Sequence, residues 1–368
     1  MGKSLTHRWA FFITLAGLVF LLAAGLHTMN NHEVHAQVIR LAQTYYVPLN
    51  EVQLLDLLPV MEEDDSVSGV GVETIVSIVA AADHTVILYD QHEDGYDASL
   101  TLPDPDSSTQ IWGDGRPSNG HPPGIPNDII MAGDVITLQN VIPRERVERY
   151  LYDGGDRISA SNPISVTRSF ARESADEMPA SAMAVYGTNY YGNSFIAPVG
   201  EDIDADGMFD NTWLIVMASE NGTEVTIGGS QPLVLNEGES HAFDSIASGT
   251  ILTASEPIQV HLLTGGMGDQ SGYDLRAFAL FPTESWSSYY YTPVGSSSGP
   301  GYRTQVWLYN PNTTPITTHW QTHADGKSKD DAGRLKIDPS TVIRFDAPID
   351  QGTHFFTNNG SPFIAIST

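Results

Sequence analysis

The sequence predicts an all-β protein, built as three tandem β-sandwich-like domains behind a hydrophobic amino-terminal segment. Short runs of β-branched and aromatic residues alternate with Gly, Pro, Asn and Asp along most of the chain, which is typical of strands joined by turns. Only the run LNEVQLLDLLPV, which starts at Leu49, has the spacing of an amphipathic helix, with Asn50 as its amino-terminal cap. Four sequence marks also recur three times in the same order, which indicates an internal repeat.

The amino terminus has the pattern of an export signal. Lys3 and Arg8 precede the uncharged run WAFFITLAGLVFLLAAGL, which extends from Trp9 to Leu26. A V-x-A cleavage pattern ends at Ala36, so residues 1–36 are either a signal peptide or an uncleaved amino-terminal anchor. Both alternatives place the rest of the chain outside the cytoplasmic membrane, secreted or at the cell surface, and limit membrane contact to this segment.

Composition excludes several classes of function. The 368 residues include 17 Lys and Arg against 45 Asp and Glu, a net charge of −28, which opposes nucleic-acid binding because such binding neutralises phosphates. The chain has no cysteine, which excludes disulfide scaffolds, thiolate zinc sites and cysteine nucleophiles. An exported, acidic, cysteine-free chain favours a bacterial or archaeal exterior, and a bacterial one first, over a eukaryotic secretory route.

The repeat defines the domain plan. Its marks are a strand that ends in proline, a strand–turn–strand unit, a polar turn before a strand, and a proline between two strands. In the second copy, Asn221-Gly222 is expected to form a tight hairpin turn. A propeller-like β repeat is the alternative, although three blades would not close a ring. The first and last prolines of the three copies are Pro48 and Pro163, Pro198 and Pro257, and Pro293 and Pro362. The predicted domains are 37–190, with a loop insertion at about 90–131, then 191–285 and 286–368.

Most of the chain, from Thr44 to Thr368, resembles a region near the amino terminus of large exported bacterial proteins. The resemblance rests on the runs YYVPL, SIVAAADHTVILYDQHEDGYD, STQIWGDGRPSNG, AGDVITLQN, YDGGDRISASNPISVTR, APVGED and IQVHLLTG, of which the first-copy segments are the most specific. That region is similar to the IgGFc-binding amino-terminal domain of animal mucin-associated proteins. The resemblance implies an extracellular all-β binding or adhesion module, generally followed by further repeats. It carries no catalytic residues, and immunoglobulin binding is not transferred with it.

Two acidic segments are candidate sites. The run EDIDADGMFD supplies alternating carboxylates and a glycine turn, which favours a structural calcium ion, although Trp213 stands where an EF-hand would have its bidentate glutamate. The other segment is the first-copy insertion, since long loops on rigid β scaffolds often carry binding sites. The candidate calcium ligands are Asp202, Asp204, Asp206 and Asp210. The candidate ligand-binding residues are Asp90, Glu93, Asp94, Tyr96, Asp97, Trp112 and Asp114, with Tyr96 and Trp112 expected to offer apolar ring faces.

Two classes of function remain open from the sequence. The favoured class is a non-catalytic extracellular β-repeat protein that binds a glycan or a protein. The alternative is an exported polysaccharide hydrolase that uses paired carboxylates of the insertion. No base oriented by a third group is recognisable in the sequence, which favours the binding protein. His319 and His323 are expected to be a surface pair rather than a metal site, because no third ligand is near them in sequence.

Overall fold

The computed structural model describes residues 41–62, 72–97, 108–142, 152–172, 181–203, 207–266, 275–299, 302–323 and 331–368. The export segment therefore lies outside the described residues. The all-β prediction is confirmed, since antiparallel strands dominate the described ranges and their α-helical structure is one helix, α1 (Glu51–Glu62). Asn50 caps this helix by accepting a 3.0 Å hydrogen bond from the backbone N–H of Gln53. No helix in the described part of the chain combines the length and apolar character needed to cross a membrane.

The first repeat consists of two four-stranded sheets. Sheet 1A has the strand order β1-β6-β3-β4, and sheet 1B has the order β5-β2-β7-β8. The strands are β1 (Gln43–Tyr46), β2 (Val72–Ala80), β3 (Ile87–Asp90), β4 (Gln110–Trp112), β5 (Val135–Ile142), β6 (Arg157–Ala160), β7 (Ile164–Arg172) and β8 (Ser181–Val185). Their inward-facing side chains form one apolar core, in which Val76, Ile78, Tyr89 and Trp112 are buried.

The second repeat joins its two sheets through one long strand. Its strands are β9 (Gly192–Ile196), β10 (Asn211–Ala218), β11 (Thr223–Ile227), β12 (Leu233–Leu235), β13 (Ser240–Phe243), β14 (Ile251–Gly265) and β15 (Arg276–Leu280). The first part of β14 pairs with β9 and β11, and the later part pairs with β10 and β15. The register shifts between Thr253 and Ile258, next to Pro257, which cannot donate a ladder hydrogen bond.

The third repeat again has two separate sheets. Sheet 3A has the order β16-β23-β20-β21, and sheet 3B has the order β22-β19-β24. The strands are β16 (Tyr289–Tyr291), β17 (Ser297–Gly299), β18 (Tyr302–Arg303), β19 (Gln305–Tyr309), β20 (Ile316–His323), β21 (Ala332–Ile337), β22 (Val342–Asp346), β23 (Gly352–Thr357) and β24 (Ile364–Ser367). Strands β17 and β18 form a small additional hairpin.

The order of strand pairing is the same in all three repeats. One sheet in the first repeat has the order β1-β6-β3-β4, and the corresponding orders are β9, the first part of β14, β11 and β12 in the second repeat and β16-β23-β20-β21 in the third. The polar turn of the third mark also repeats in atomic detail. One residue of the turn has a positive φ in each repeat and donates its backbone N–H to a carbonyl at the end of the second mark's first strand. The pairs are Gly133 with Ala80 at 2.8 Å, Gly238 with Ala218 at 3.0 Å, and Ser340 with Asn310 at 2.9 Å.

One expectation about the second mark is wrong. The turn at Asn221-Gly222 does not close a hairpin, because β10 and β11 each pair with β14 and not with one another. The turn instead carries the chain from one sheet half to the other. Gly222 has a φ of +74°, so the glycine is still required by the backbone conformation.

The apolar clusters extend across the repeats. The core of the second repeat includes Trp307 and Ile366 from sheet 3B. Another cluster joins Leu54 of α1 to Phe170 of β7 and Trp213 of β10. Residues 40–368 accordingly form one compact unit. The predicted domain boundaries near residues 190 and 286 lie beside 3₁₀ turns, which are Thr188–Tyr190 and Thr283–Ser285. The division into three domains stays a prediction.

A buried polar contact also connects the first two repeats. His261 of β14 is fully buried, and its Nε2 donates to the carbonyl of Ala184 in β8 at 2.9 Å. The nearby Tyr186 hydroxyl donates to the carbonyl of Leu280 and accepts from the N–H of Val260, at 2.9 and 2.8 Å. Burial lowers the pKa of His261 from 6.5 to about 4.

The His261→Gln variant should reduce the loss of stability in acid. The unfolded chain binds a proton at His261 near its ordinary pKa of 6.5, whereas the folded chain resists protonation until the pH falls to about 4. The stability contributed by neutral His261 is present above pH 6.5 and is lost as the pH falls through about 4. Urea unfolding of the parent and of His261→Gln, whose amide retains a donor, measures this slope. The control His121→Gln replaces an exposed histidine, and its free energy of unfolding should change with pH as that of the parent does. The same pH dependence in all three proteins would contradict the assignment of the acid effect to His261.

Candidate binding surfaces

The insertion of the first repeat starts at Asp90, and this carboxylate is used inside the fold. Asp90 is fully buried and pairs with Arg157 of β6. It also accepts hydrogen bonds from the backbone N–H of Asp97 at 3.1 Å and from the Thr109 hydroxyl at 2.9 Å. Burial raises the pKa of Asp90, and the Arg157 guanidinium opposes that rise. Asp90 therefore fixes the root of the insertion and is not presented to a ligand.

The two aromatic residues of the insertion do not offer open ring faces, contrary to the expectation from sequence. Trp112 is fully buried and stacks on Tyr89 with ring centroids 4.9 Å apart. Tyr96 lies between Tyr46, 5.7 Å away, and the Arg157 guanidinium, which is 4.7 Å from its ring centroid. Trp112 is packed inside the first repeat, and Tyr96 is half-buried with one ring face against the Arg157 guanidinium.

The remaining insertion carboxylates organise turns. Asp94 accepts from the N–H and hydroxyl of Ser108, at 2.9 and 2.6 Å. Asp114 accepts from the N–H of Arg116 at 2.9 Å and from the Asn119 amide at 3.0 Å. The Asp97 carboxylate accepts the Thr109 hydroxyl, and Glu93 is exposed. Ligand binding by these four residues stays a prediction.

A group of three carboxylates connects the insertion to the loop before β6. Glu93, Asp153 and Asp156 each place an oxygen within 4.8 Å of the others, so they are the described residues that could hold a metal ion. Sequence reasoning missed Asp153 and Asp156, which lie about 60 positions after Glu93 in the glycine turn YDGGD. Spacing along the chain could not have revealed this proximity, which depends on the pairing of β6 with β3.

The environment of Asp156 shifts the pKa of its carboxyl group. It is fully buried and accepts from the Tyr89 hydroxyl at 2.5 Å and from the backbone N–H groups of Asp153 and His92 at 3.0 and 3.2 Å. Burial raises its pKa to about 8, although these hydrogen bonds favour the ionised form. The loop therefore holds a carboxyl whose protonation changes near neutral pH.

The Asp156→Asn variant should flatten the stability profile between pH 3.8 and about pH 8. The folded chain keeps the Asp156 proton up to a pH of about 8, whereas the unfolded chain loses it near 3.8. Stability from this group is fully present below pH 3.8 and is lost as the pH rises through about 8. The asparagine NH₂ group would face the His92 N–H, which lowers the free energy of unfolding by the same amount at every pH. The test therefore compares how the free energy of unfolding, measured in urea, changes with pH. The exposed-residue control Glu224→Gln should keep the parental slope; an unchanged slope in Asp156→Asn would contradict the raised pKa.

The candidate calcium loop is only partly described. Asp204 and Asp206 lie outside the described residues. Asp202 accepts from the N–H and hydroxyl of Ser248, at 2.5 and 2.6 Å, and thereby joins the loop to the turn before β14. Asp210 is exposed beside the start of β10. Calcium binding at this loop stays a prediction.

The outer face of sheet 3A carries exposed rings, and we call these five residues the aromatic face. They are Tyr289 and Tyr291 on β16, His354 and Phe356 on β23, and His319 on β20. Residues two apart on a strand point to the same side, and the register places Phe356 between Tyr289 and His319 and places His354 beside Tyr291. Tyr289 and Tyr291 are 58% and 69% exposed, and contiguous exposed apolar groups on one face often mark an interaction surface.

The rings of the aromatic face stack on one another. The centroids of Tyr291 and His354 are 4.2 Å apart with planes 6° from parallel, and those of Phe356 and His319 are 5.4 Å apart at 17°. His354 and Phe356 connect the two pairs, with centroids 4.9 Å apart. This continuous stack fixes the side chains before any partner binds, so little side-chain entropy remains to be lost.

Polar and charged groups border the aromatic face. Arg334 lies opposite His319 in the register of β20 with β21, and Lys336 lies two residues further along β21. The Asn358 amide donates to Nε2 of His319 at 2.9 Å. Burial lowers the pKa of His354, and the neighbouring His323 lowers it further. Lys336 pairs with Asp338 at 3.0 Å, so Arg334 is the cation that borders the rings without an ion pair among the described contacts.

Sequence reasoning did not select the aromatic face, although a signal was present. The runs YYY and THFFT place an aromatic residue or histidine at alternate positions, and THWQTH places His319 and His323 on one side of its strand. This pattern in three strands of one repeat predicts that these side chains share a sheet face once the strands pair. The pairing partners were not known from sequence, so the three patterns remained separate observations.

Comparison with known proteins identifies the family. A family model described as IgGFc binding protein matches residues 119–368. The chain belongs to the IgGFc-binding family. The match covers the end of the first repeat and the whole of the second and third repeats, which include the aromatic face, and it starts after β4. Searches of curated proteins and of solved structures found no match.

Proposed function

We propose that this chain is an extracellular, non-catalytic binding protein and that the aromatic face holds its partner. Membership of the IgGFc-binding family supports a binding role outside the cell. The preformed ring stack on an open sheet face is the observation that supports this position for the binding site. The stack consists of Tyr291, His354, Phe356 and His319. Tyrosine and arginine are among the residues that most often anchor protein interfaces, and phenylalanine is enriched in such interfaces.

The stacking geometry favours a protein partner over a glycan. A sugar ring binds by lying against an open aromatic face. In this stack, the faces of His354 and Phe356 are occupied by neighbouring rings, so these residues present their edges to solvent. Tyr291 at the outer strand keeps one free face, which is a small platform for a polysaccharide. A protein surface can use ring edges, hydroxyl groups and the bordering cations together.

The charged residues beside the aromatic face indicate which partner surfaces it attracts. Arg334 borders the aromatic face, and Lys336 beside it pairs with Asp338, whereas the chain as a whole is strongly acidic. A partner with an acidic patch would be attracted to this side and repelled by other surfaces. The alternative hydrolase receives less support, because Asp90 is committed to its ion pair with Arg157 and Asp94 to Ser108.

The resemblance in sequence alone did not carry immunoglobulin binding, but the description of the matched family names the Fc fragment of immunoglobulin G, so we propose Fc as the partner of the aromatic face and test it in a binding assay. The double variant Tyr289→Ser, Tyr291→Ser should bind Fc at least about tenfold more weakly than the parent, which corresponds to about 1.4 kcal/mol. Tyr190→Ser is the matched control, because Tyr190 is a similarly exposed tyrosine, at 53%, between the first two repeats.

Three outcomes would contradict the proposal. These are equal Fc affinities for the parent and the double variant, binding of the parent to a glycan array but not to Fc, and binding to neither. Circular dichroism of each variant verifies that the β structure is retained, so that a loss of binding reflects the surface and not unfolding.

A further inference from the structure

Tyr46 and Tyr291 hold equivalent positions in the first and third repeats. Each tyrosine lies two residues before the first marked proline of its repeat. Each also lies on the first strand of an equivalent sheet, where Tyr46 is opposite Arg157 and Tyr291 is opposite His354. The contacts of Tyr46 therefore indicate which group can bind beside Tyr291.

Tyr46 binds a carboxylate of the second repeat. Its hydroxyl donates to Oε1 of Glu237 at 2.6 Å, and the Arg157 guanidinium donates to the same oxygen at 3.0 Å. Glu237 is the second residue of a β-turn, which the N–H of Glu239 closes by donating to the carbonyl of Asn236 at 3.0 Å. The outer side of sheet 1A thus binds a turn that carries a carboxylate.

The equivalent residue of the second repeat is apolar, and so are its contacts. Ile196 lies two residues before Pro198 and packs against a cluster that includes Trp286 and Tyr309. At this position the side chain therefore matches the chemistry of the group beside it, a hydroxyl with a carboxylate in the first repeat and isoleucine with aromatic rings in the second. A tyrosine at this position in the third repeat favours a polar acceptor.

Tyr291 is arranged to bind such an acceptor. Its side chain is 69% exposed, and its hydroxyl has no hydrogen-bond partner among the described residues. The stack on His354, with ring centroids 4.2 Å apart, holds the tyrosine ring and thereby fixes the direction of the hydroxyl group. Arg334, on the fourth strand of the same sheet, attracts a negatively charged group to this side.

We propose that the aromatic face recognises a carboxylate-bearing β-turn of its protein partner. The Tyr291 hydroxyl donates a hydrogen bond to the carboxylate, as the Tyr46 hydroxyl does to Glu237. A hydrogen bond to a charged group is stronger than a neutral one, so this single hydroxyl contributes measurably to affinity. The inference rests on the function proposed for the aromatic face, and it specifies which part of the partner the face binds.

Removal of one hydroxyl tests the recognition of the carboxylate. Tyr291→Phe keeps the ring that stacks on His354, and it should bind Fc about tenfold more weakly than the parent because the hydrogen bond to the charged group is lost. Tyr190→Phe removes the hydroxyl of an exposed tyrosine outside the aromatic face and should bind Fc like the parent. Surface plasmon resonance measures the affinities.

A peptide tests the chemistry of the partner without Fc. A backbone-cyclised peptide that contains residues 235–240, LNEGES, retains the turn that binds Tyr46. Saturation-transfer NMR should detect its binding to the full chain, and binding to Tyr291→Phe should be about tenfold weaker. Glu237→Gln in the peptide should weaken binding to the parent chain to the same extent. The matched peptide with Glu239→Gln has the same net charge and should bind like the original peptide.

Three results would overturn the inference: equal Fc affinities of Tyr291→Phe and the parent, equal effects of the two glutamine substitutions, and absence of peptide binding. The function proposed above can fail separately. If the peptide behaves as expected but Fc does not bind, or binds Tyr289→Ser, Tyr291→Ser as well as the parent, the assignment of Fc is wrong and the recognition of a turn stands. A dimer in sedimentation velocity that Tyr291→Phe abolishes would overturn the assignment to a different protein, since a second copy would then supply the turn.

Discussion

The buried ion pair between Glu51 and Arg168 fixes the contacts on which the first two repeats depend. Both side chains are fully buried. Arg168 donates to Glu51 and to the carbonyls of Pro48 and Leu49, and the second Glu51 oxygen accepts the N–H of Gly154 at 3.0 Å. A buried charge is tolerated only with such partners, so the pair allows one position for the start of α1. The helix then lies against both β7 and β10.

This position of α1 organises the contacts around it. Gln53 of α1 exchanges hydrogen bonds with Ser240 of β13, at 2.7 and 2.9 Å, which holds the second repeat against the first. On the other side of the first repeat, Arg157 pairs with Asp90 at the root of the insertion and with Glu237 of the second repeat. Asp90, which the sequence indicated as a ligand-binding candidate, thus belongs to these structural contacts. The third repeat has an open outer sheet face, and the exposed rings are found there.

Sequence established the all-β class, the helix and the repeat, because strand periodicity, an asparagine cap and turn glycines are local signals. It did not establish which strands pair. That missing information explains the incorrect hairpin at Gly222, the unexpected burial of Trp112 and the failure to connect Tyr291 with His354. Burial and cross-strand neighbours are decided by contacts between residues distant in sequence, which no local pattern specifies.

A double-mutant cycle on the ion pair tests the central claim most directly. The free energy of unfolding is measured in urea, by tryptophan fluorescence, for the parent, Glu51→Leu, Arg168→Met and the combined variant. Each single variant should lose about 3–5 kcal/mol, because it leaves one buried charge unpaired. The combined variant should lose less than the sum of the two, because neither charge then remains. Additive losses, or single losses below about 0.5 kcal/mol, would contradict the role of this pair in fixing the start of α1.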